Sequence, residues 1–209
     1  RPDFGYNQRV NLTRPPQGQW SLTLAPTRRP GMLEVHDLTA RRGHATLFSG
    51  VSFRLATGQA LALTGPNGSG KTTLLRILAG LTAPEAGTVR WRGQDIAPFA
   101  PAIRQDTLLS AHVPALKDEL TAAENLSIQC ALTGHRVADY DIRVALDAIG
   151  LGAAQSLPAA VLSQGQRRRI GLARLLLVRR PLWLLDEPTT ALDVAGMAQL
   201  GRLLADHLE

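Results

Sequence analysis

The stretch Gly65-Pro66-Asn67-Gly68-Ser69-Gly70-Lys71-Thr72-Thr73 has the residue types and spacing of a phosphate-binding loop, G-x-x-x-x-G-K-[ST]. Its glycines let successive backbone N–H groups turn toward one centre, and a helix starting at its end adds partial positive charge. Lys71 can reach the β- and γ-phosphates of a nucleotide, and the Thr72 hydroxyl can hold Mg²⁺. A second stretch supplies acids. Leu182-Trp183-Leu184-Leu185 is an apolar run that ends in Asp186-Glu187. A buried strand with a carboxylate at its end suits a Mg²⁺–nucleotide site, where Asp186 would hold the metal, directly or through water. Glu187 is placed to polarise an attacking water. Taken alone, the same run also describes a core strand entering a solvated acidic turn.

Several elements must position these groups. Ala60–Thr64 reads as a short buried strand. Thr72–Ala79 follows with Leu74, Leu75 and Leu78 at helical spacing, and Gly80 stops it. Ser163 with Gln166 is a capping box, so a helix is expected through Arg167-Arg168-Arg169-Ile170 toward Val178. Thr121 with Glu124 is another, opening a helix to about Thr133 that Gly134 ends. Asp141–Ile149 and Gly196–His207 read as further helices. Strands are expected at Leu33–His36, Val51–Leu55, Gly87–Trp91 and Thr107–Ala111.

Composition bounds the rest. A chain of 209 residues builds one domain with a proper core, not two large ones. No stretch approaches the apolar length of a transmembrane helix, and no signal peptide precedes the strands. The single cysteine, Cys130, excludes an internal disulfide and a cysteine-rich metal cluster, and reads as a buried thiol in a helix. The expectation is a soluble protein of a reducing compartment, with any membrane role exerted through a partner. Net charge is +6, but the arginines are scattered, so nucleic-acid binding is not expected. The run Arg167-Arg168-Arg169 reads as a solvated helix face, or as charge near a phosphate. Residues 1–31 are rich in Pro, Gln, Asn and Arg and are expected to be disordered or a non-native extension, with Trp20–Leu24 as a possible strand.

Leu162-Ser163-Gln164-Gly165-Gln166, lying between the phosphate loop and the acidic strand, resembles the LSGGQ signature of the ATP-binding cassette (ABC) family. Ala191-Leu192-Asp193 resembles that family's D-loop, and the elements follow the family's order from roughly Met32 to Glu209. The resemblance implies an α/β P-loop NTPase with a mainly parallel core sheet, an antiparallel β-subdomain and a small helical subdomain at about 113–165. It implies ATP and Mg²⁺ as ligands. It also implies a head-to-tail homodimer in which Ser163, Gly165 and Gln166 of one copy meet ATP held by the other. Arg42 stands where the family has an adenine-stacking aromatic, and a guanidinium can stack on a base. His112 stands at the Q-loop position, where the family has a glutamine that touches Mg²⁺ and the membrane partner. The family's last strand and switch histidine have no counterpart after the final helix. The chain therefore reads as C-terminally incomplete and impaired in hydrolysis.

Within the family, Met32-Leu33-Glu34, Arg42-Gly43, Leu47-Phe48, His112-Val113-Pro114, Leu120–Leu126 and Pro181–Pro188 look like the ATP-binding subunits of haem exporters for cytochrome c maturation. This implies a peripheral protein on the cytoplasmic face of the inner membrane, bound to integral membrane transporter subunits. The alternatives are a cassette of another exporter or importer, or a non-transport ABC ATPase. Repair ATPases carry long coiled-coil or zinc insertions between these motifs and translation factors carry two cassettes, so the compact single cassette favours transport.

Overall fold

A computed structural model describes residues 8–11, 32–112 and 114–209. They fall into two compact units, one holding the described residues up to Arg104 with His207–Glu209, the other Gln105–Asp206. The first contains β1 (Gln8–Asn11), β2 (Leu33–Arg42), β3 (Ala45–Leu55), β4 (Leu61–Thr64), α1 (Lys71–Leu78), β5 (Ala86–Trp91) and β6 (Gln94–Asp95). α2 (Pro101–Asp106) runs across the boundary between the units. The antiparallel sheet has the order β3-β2-β5-β6. Its central strand alternates as a half-buried strand should, with Leu33 and Val35 inside and Glu34 and His36 toward the surface. Val51, Phe53, Val89 and Trp91 add to the buried face. β4 pairs in parallel with β1, from Gln8 opposite Leu61 to Asn11 opposite Thr64.

The second unit contains β7 (Thr107–Ser110), α3 (Ala122–Leu132), α4 (Asp139–Ala148), short 3₁₀ turns at Gly152–Ala154 and Ala159–Val161, α5 (Gln164–Leu177), β8 (Leu182–Leu185) and most of α6 (Val194–Leu208). β7 and β8 pair in parallel, Thr107 opposite Leu182 through Ser110 opposite Leu185. α3, α4 and α5 pack on one another, and Leu126, Cys130, Leu146, Ile170 and Leu200 are fully buried. Burial pushes the Cys130 thiol above its ordinary pKa, so it stays neutral.

The start of α3 is set locally. The Thr121 hydroxyl accepts the Glu124 N–H, and the Glu124 carboxylate accepts the Thr121 N–H at 2.8 Å. Together they satisfy two amides that the first helical turn leaves over. Thr121→Ala is expected to lower stability by about 1 kcal/mol. Urea unfolding checks it; an unchanged midpoint would mean that packing alone holds this helix end.

Two features differ from the sequence reading. Gln8–Asn11, within the stretch expected to lack structure, forms a strand, because the open edge of β4 offers backbone donors and acceptors to an extended segment of any composition. Trp20–Leu24 lies outside the described residues. β3 begins at Ala45, well before the expected Val51, because the turn at Gly43 and His44 folds it back along the whole of β2. No described helix is long and apolar enough to cross a membrane.

Candidate active site

The phosphate loop joins β4 to α1 and is shaped by its glycines. Gly68 and Gly70 have φ of 81° and 95°, left-handed values that side chains resist. At Gly70 an added Cβ would also sit 2.8 Å from the Phe48 ring. α1 has no side-chain cap, and its first i→i−4 bond runs from the Leu74 N–H to the Gly70 carbonyl at 2.8 Å. The amides of Lys71, Thr72 and Thr73 precede that bond and lie at the positive end of the helix. Lys71 Nζ donates to the Gly65 and Pro66 carbonyls, both at 3.0 Å, which folds its ammonium back over the loop. Ser69 Oγ is buried without a hydrogen-bond partner. An unsatisfied buried hydroxyl beside helix-start amides and an ammonium is a donor set that fits a polyphosphate. Asn67 is exposed in the turn that carries the Ser69 N–H to the Pro66 carbonyl. Arg42 is the last residue of β2 and is exposed.

In the other unit, β8 delivers Asp186 and Glu187 as expected from its apolar run. Asp186 is 4% exposed, and its N–H extends the β7–β8 ladder to the Ser110 carbonyl at 2.9 Å. A buried hard-oxygen ligand fits Mg²⁺, which takes one or two carboxylates and otherwise keeps water and phosphate oxygens. Among the described residues no cluster of three or more His, Cys, Asp or Glu forms a metal cage. Glu187 adopts φ of 47°, a strained value for a non-glycine residue. Its carboxylate Oε2 lies 3.1 Å from His112 Nδ1, and the Thr190 hydroxyl donates to it at 3.3 Å. The histidine at the Q-loop position thus faces the acid expected to handle water. Thr190 escaped the sequence reading, and its only signal is its place three residues after Glu187.

Ser163 caps α5 as expected: its hydroxyl accepts the Gln166 N–H at 3.2 Å and the Gln166 side chain accepts the Ser163 N–H at 2.8 Å. A Cβ at Gly165 would come 3.0 Å from the Ala191 carbonyl, so the two segments approach there more tightly than is found around most side chains. Asp193 caps α6 through the Gly196 N–H at 2.9 Å and pairs with Arg169. The Gly196 amide first, and Arg169 second, hold its carboxyl below the ordinary aspartate range.

The run Arg167-Arg168-Arg169 corrects one expectation, because it is not a solvated face. Arg167 bonds Asp118 at 2.6 Å and the Ala159 carbonyl at 2.9 Å, and Arg169 pairs with Asp193. Arg168 is only 6% exposed. Its Nη1 donates to the carbonyls of Ala111 (2.8 Å) and His112 (2.7 Å), and its Nη2 to those of Asp186 and Glu187, both at 2.8 Å. Successive helical residues point about 100° apart, so three neighbours face three different surroundings. Nothing local in the sequence distinguishes Arg168 from the residues beside it.

A phosphate loop between strand and helix, an Asp-Glu pair closing a buried strand and a capped signature helix define a P-loop ATPase cassette. Residues 48–190 match the ABC transporter family, and the chain belongs to that family. It is an ABC-type ATPase and binds ATP. It is 51% identical over 177 residues to the cytochrome c biogenesis ATP-binding export protein CcmA of Aromatoleum aromaticum, covering 84% of this chain and 83% of that protein. It is 47% identical over 177 residues to the protein of the same name from Nitrosomonas europaea, covering 85% and 83%. Among solved structures it is similar to the dimeric post-hydrolysis state of the ATP-binding cassette MJ0796 bound to ADP and Pi. That likeness has a TM-score of 0.74 and 26% identity, over 85% of this chain and 83% of that one.

Proposed function

We propose that this chain is the ATP-binding subunit of an exporter that serves cytochrome c biogenesis, with haem as the cargo moved or released by its membrane partners. The 51% identity to an export protein of that process, over 84% of the chain, carries the assignment. The loop geometry supports the energy source. Lys71 leaves the Gly65 and Pro66 carbonyls for the β- and γ-phosphates, and the amides from Gly68 to Thr73 take the remaining oxygens. Thr72 and Asp186 are each a hard-oxygen ligand that would suit Mg²⁺, and the ion would neutralise phosphate charge. Glu187 accepts the proton of the attacking water, and His112 and Thr190 orient its carboxylate. Arg42 would stack on the base through its planar guanidinium.

Two copies associate head to tail. Ser163, Gly165 and Gln166 of one copy present donors to the γ-phosphate held by the other. The dimeric cassette structure that this chain resembles supports the association of two copies. The subunit sits on the cytoplasmic face of the inner membrane through integral membrane subunits, in keeping with the lack of a crossing helix among the described residues. Deleting the gene for this chain from its host is expected to abolish covalent haem in c-type cytochromes. The intact gene should restore it, and the Lys71→Ala gene should not. Normal haem-stained cytochromes in the deletion strain would sink the cargo assignment.

A further inference from the structure

The β7–β8 ladder ends at the bond from the Asp186 N–H to the Ser110 carbonyl. Beyond it the chain leaves the two strands as Ala111-His112 and as Glu187, whose carbonyls have no ladder partners. Arg168, one turn into α5, reaches all four carbonyls that flank this point with two nitrogens at 2.7–2.8 Å. A planar guanidinium is the one side chain whose fork can bridge two chain segments in this way. A lysine places a single nitrogen there, and a glutamine only two protons. Burial draws the Arg168 guanidinium below its ordinary pKa, against the opposing pull of the Asp186 and Glu187 charges. The four carbonyl acceptors are what keep an arginine at so enclosed a position.

Two of the four acceptors belong to the residues that face each other at the site. His112 and Glu187 are distant in sequence, follow the ends of different strands and meet at 3.1 Å. Both side chains are about half exposed, so little packing holds either in place. Glu187 also has the strained φ of 47°, which persists only where surrounding bonds over-determine it. Its carbonyl has two such bonds, from Arg168 at 2.8 Å and from the Thr190 N–H at 3.1 Å.

We propose that Arg168 is a positioning residue for hydrolysis: by gripping the carbonyls of His112 and Glu187 together, it fixes the backbone from which this pair projects and ties that pair to the signature helix. The proposal rests on the reading of Glu187 as the base that activates water. It gives the second arginine of the run a task that neither phosphate contact nor solvation supplies. It also makes α5 and the water-handling acid one mechanical piece, so that a shift of the signature helix is carried directly to Glu187.

The test uses the full chain with four variants: Arg168→Lys, Arg168→Gln, Glu187→Gln and the double variant Arg168→Lys/Glu187→Gln. Steady-state phosphate release gives kcat and KM for ATP, and ADP titration reports an intact nucleotide site. Arg168→Lys is expected to lower kcat roughly 10- to 100-fold, the scale of a displaced catalytic group, with KM changed less than about threefold. Arg168→Gln should lower kcat at least as far. In single-turnover assays the double variant should be no slower than Glu187→Gln alone, since a positioning residue has no effect once the group it positions is gone. A loss that appears in KM, a loss that multiplies with Glu187→Gln, or failure of both single Arg168 variants to bind ADP would each overturn the proposal. A wild-type kcat in Glu187→Gln would instead remove the reading of Glu187 as base, an outcome separable from any behaviour of Arg168.

Discussion

Replacing Glu187 by glutamine is expected to slow ATP turnover by roughly 100- to 10,000-fold while ATP still binds. The substitution keeps the shape of the side chain. It leaves the Thr190 hydroxyl an oxygen to donate to, and it leaves the bonds from Arg168 and the Thr190 N–H to the Glu187 carbonyl untouched. What it removes is the ability to take a proton from water. The phosphate contacts of the loop lie on other residues, so affinity should hold within a few-fold. A variant that binds and does not turn over should also hold the ATP-bound dimer, visible as a doubled mass in size-exclusion chromatography with ATP. Turnover within tenfold of the wild type would show that water is activated by another group, and His112 would be the next residue to replace.

Lys71→Ala is expected to weaken ATP binding by roughly 10- to 100-fold, since a charge-assisted bond to a phosphate is worth about 1.5–3 kcal/mol. The loop itself should survive the change. The lysine bonds to Gly65 and Pro66 are lost, but the left-handed glycines and the Ser69 N–H to Pro66 carbonyl bond at 3.2 Å still shape the turn. The effect should therefore appear in binding, with a small change in Tm. It should also be larger for ATP than for AMP, because the lysine acts on the outer phosphates. Isothermal titration with both nucleotides checks this. Equal affinities for wild type and variant would mean that the ammonium stays on the two carbonyls when nucleotide binds.

Several parts of this protein were legible in the sequence because the interactions that create them are short in range. The two capping boxes join residues three apart, Thr121 to Glu124 and Ser163 to Gln166, and both form as their spacing requires. The phosphate loop is equally local: glycines at Gly68 and Gly70 permit the backbone that points the following amides inward. The apolar run of β8 follows from the need to bury a strand, and the two acids follow it directly in the chain. Family membership follows from the order of these local signals.

What the tertiary structure decided lies in contacts between distant residues. No spacing rule joins His112 to Glu187, and their meeting depends on the parallel register of β7 against β8. The start of β3 at Ala45 depends on its pairing with β2, and the strand at Gln8–Asn11 on the open edge of β4. Arg168 is the clearest case. Three adjacent arginines are equivalent as a sequence, and their charge alone suggests a wet surface. Only the placement of α5 against the ends of two strands buries the middle one and gives it four carbonyls. A side chain's type is written in the sequence, but its partners depend on which backbone groups the rest of the fold leaves unsatisfied beside it.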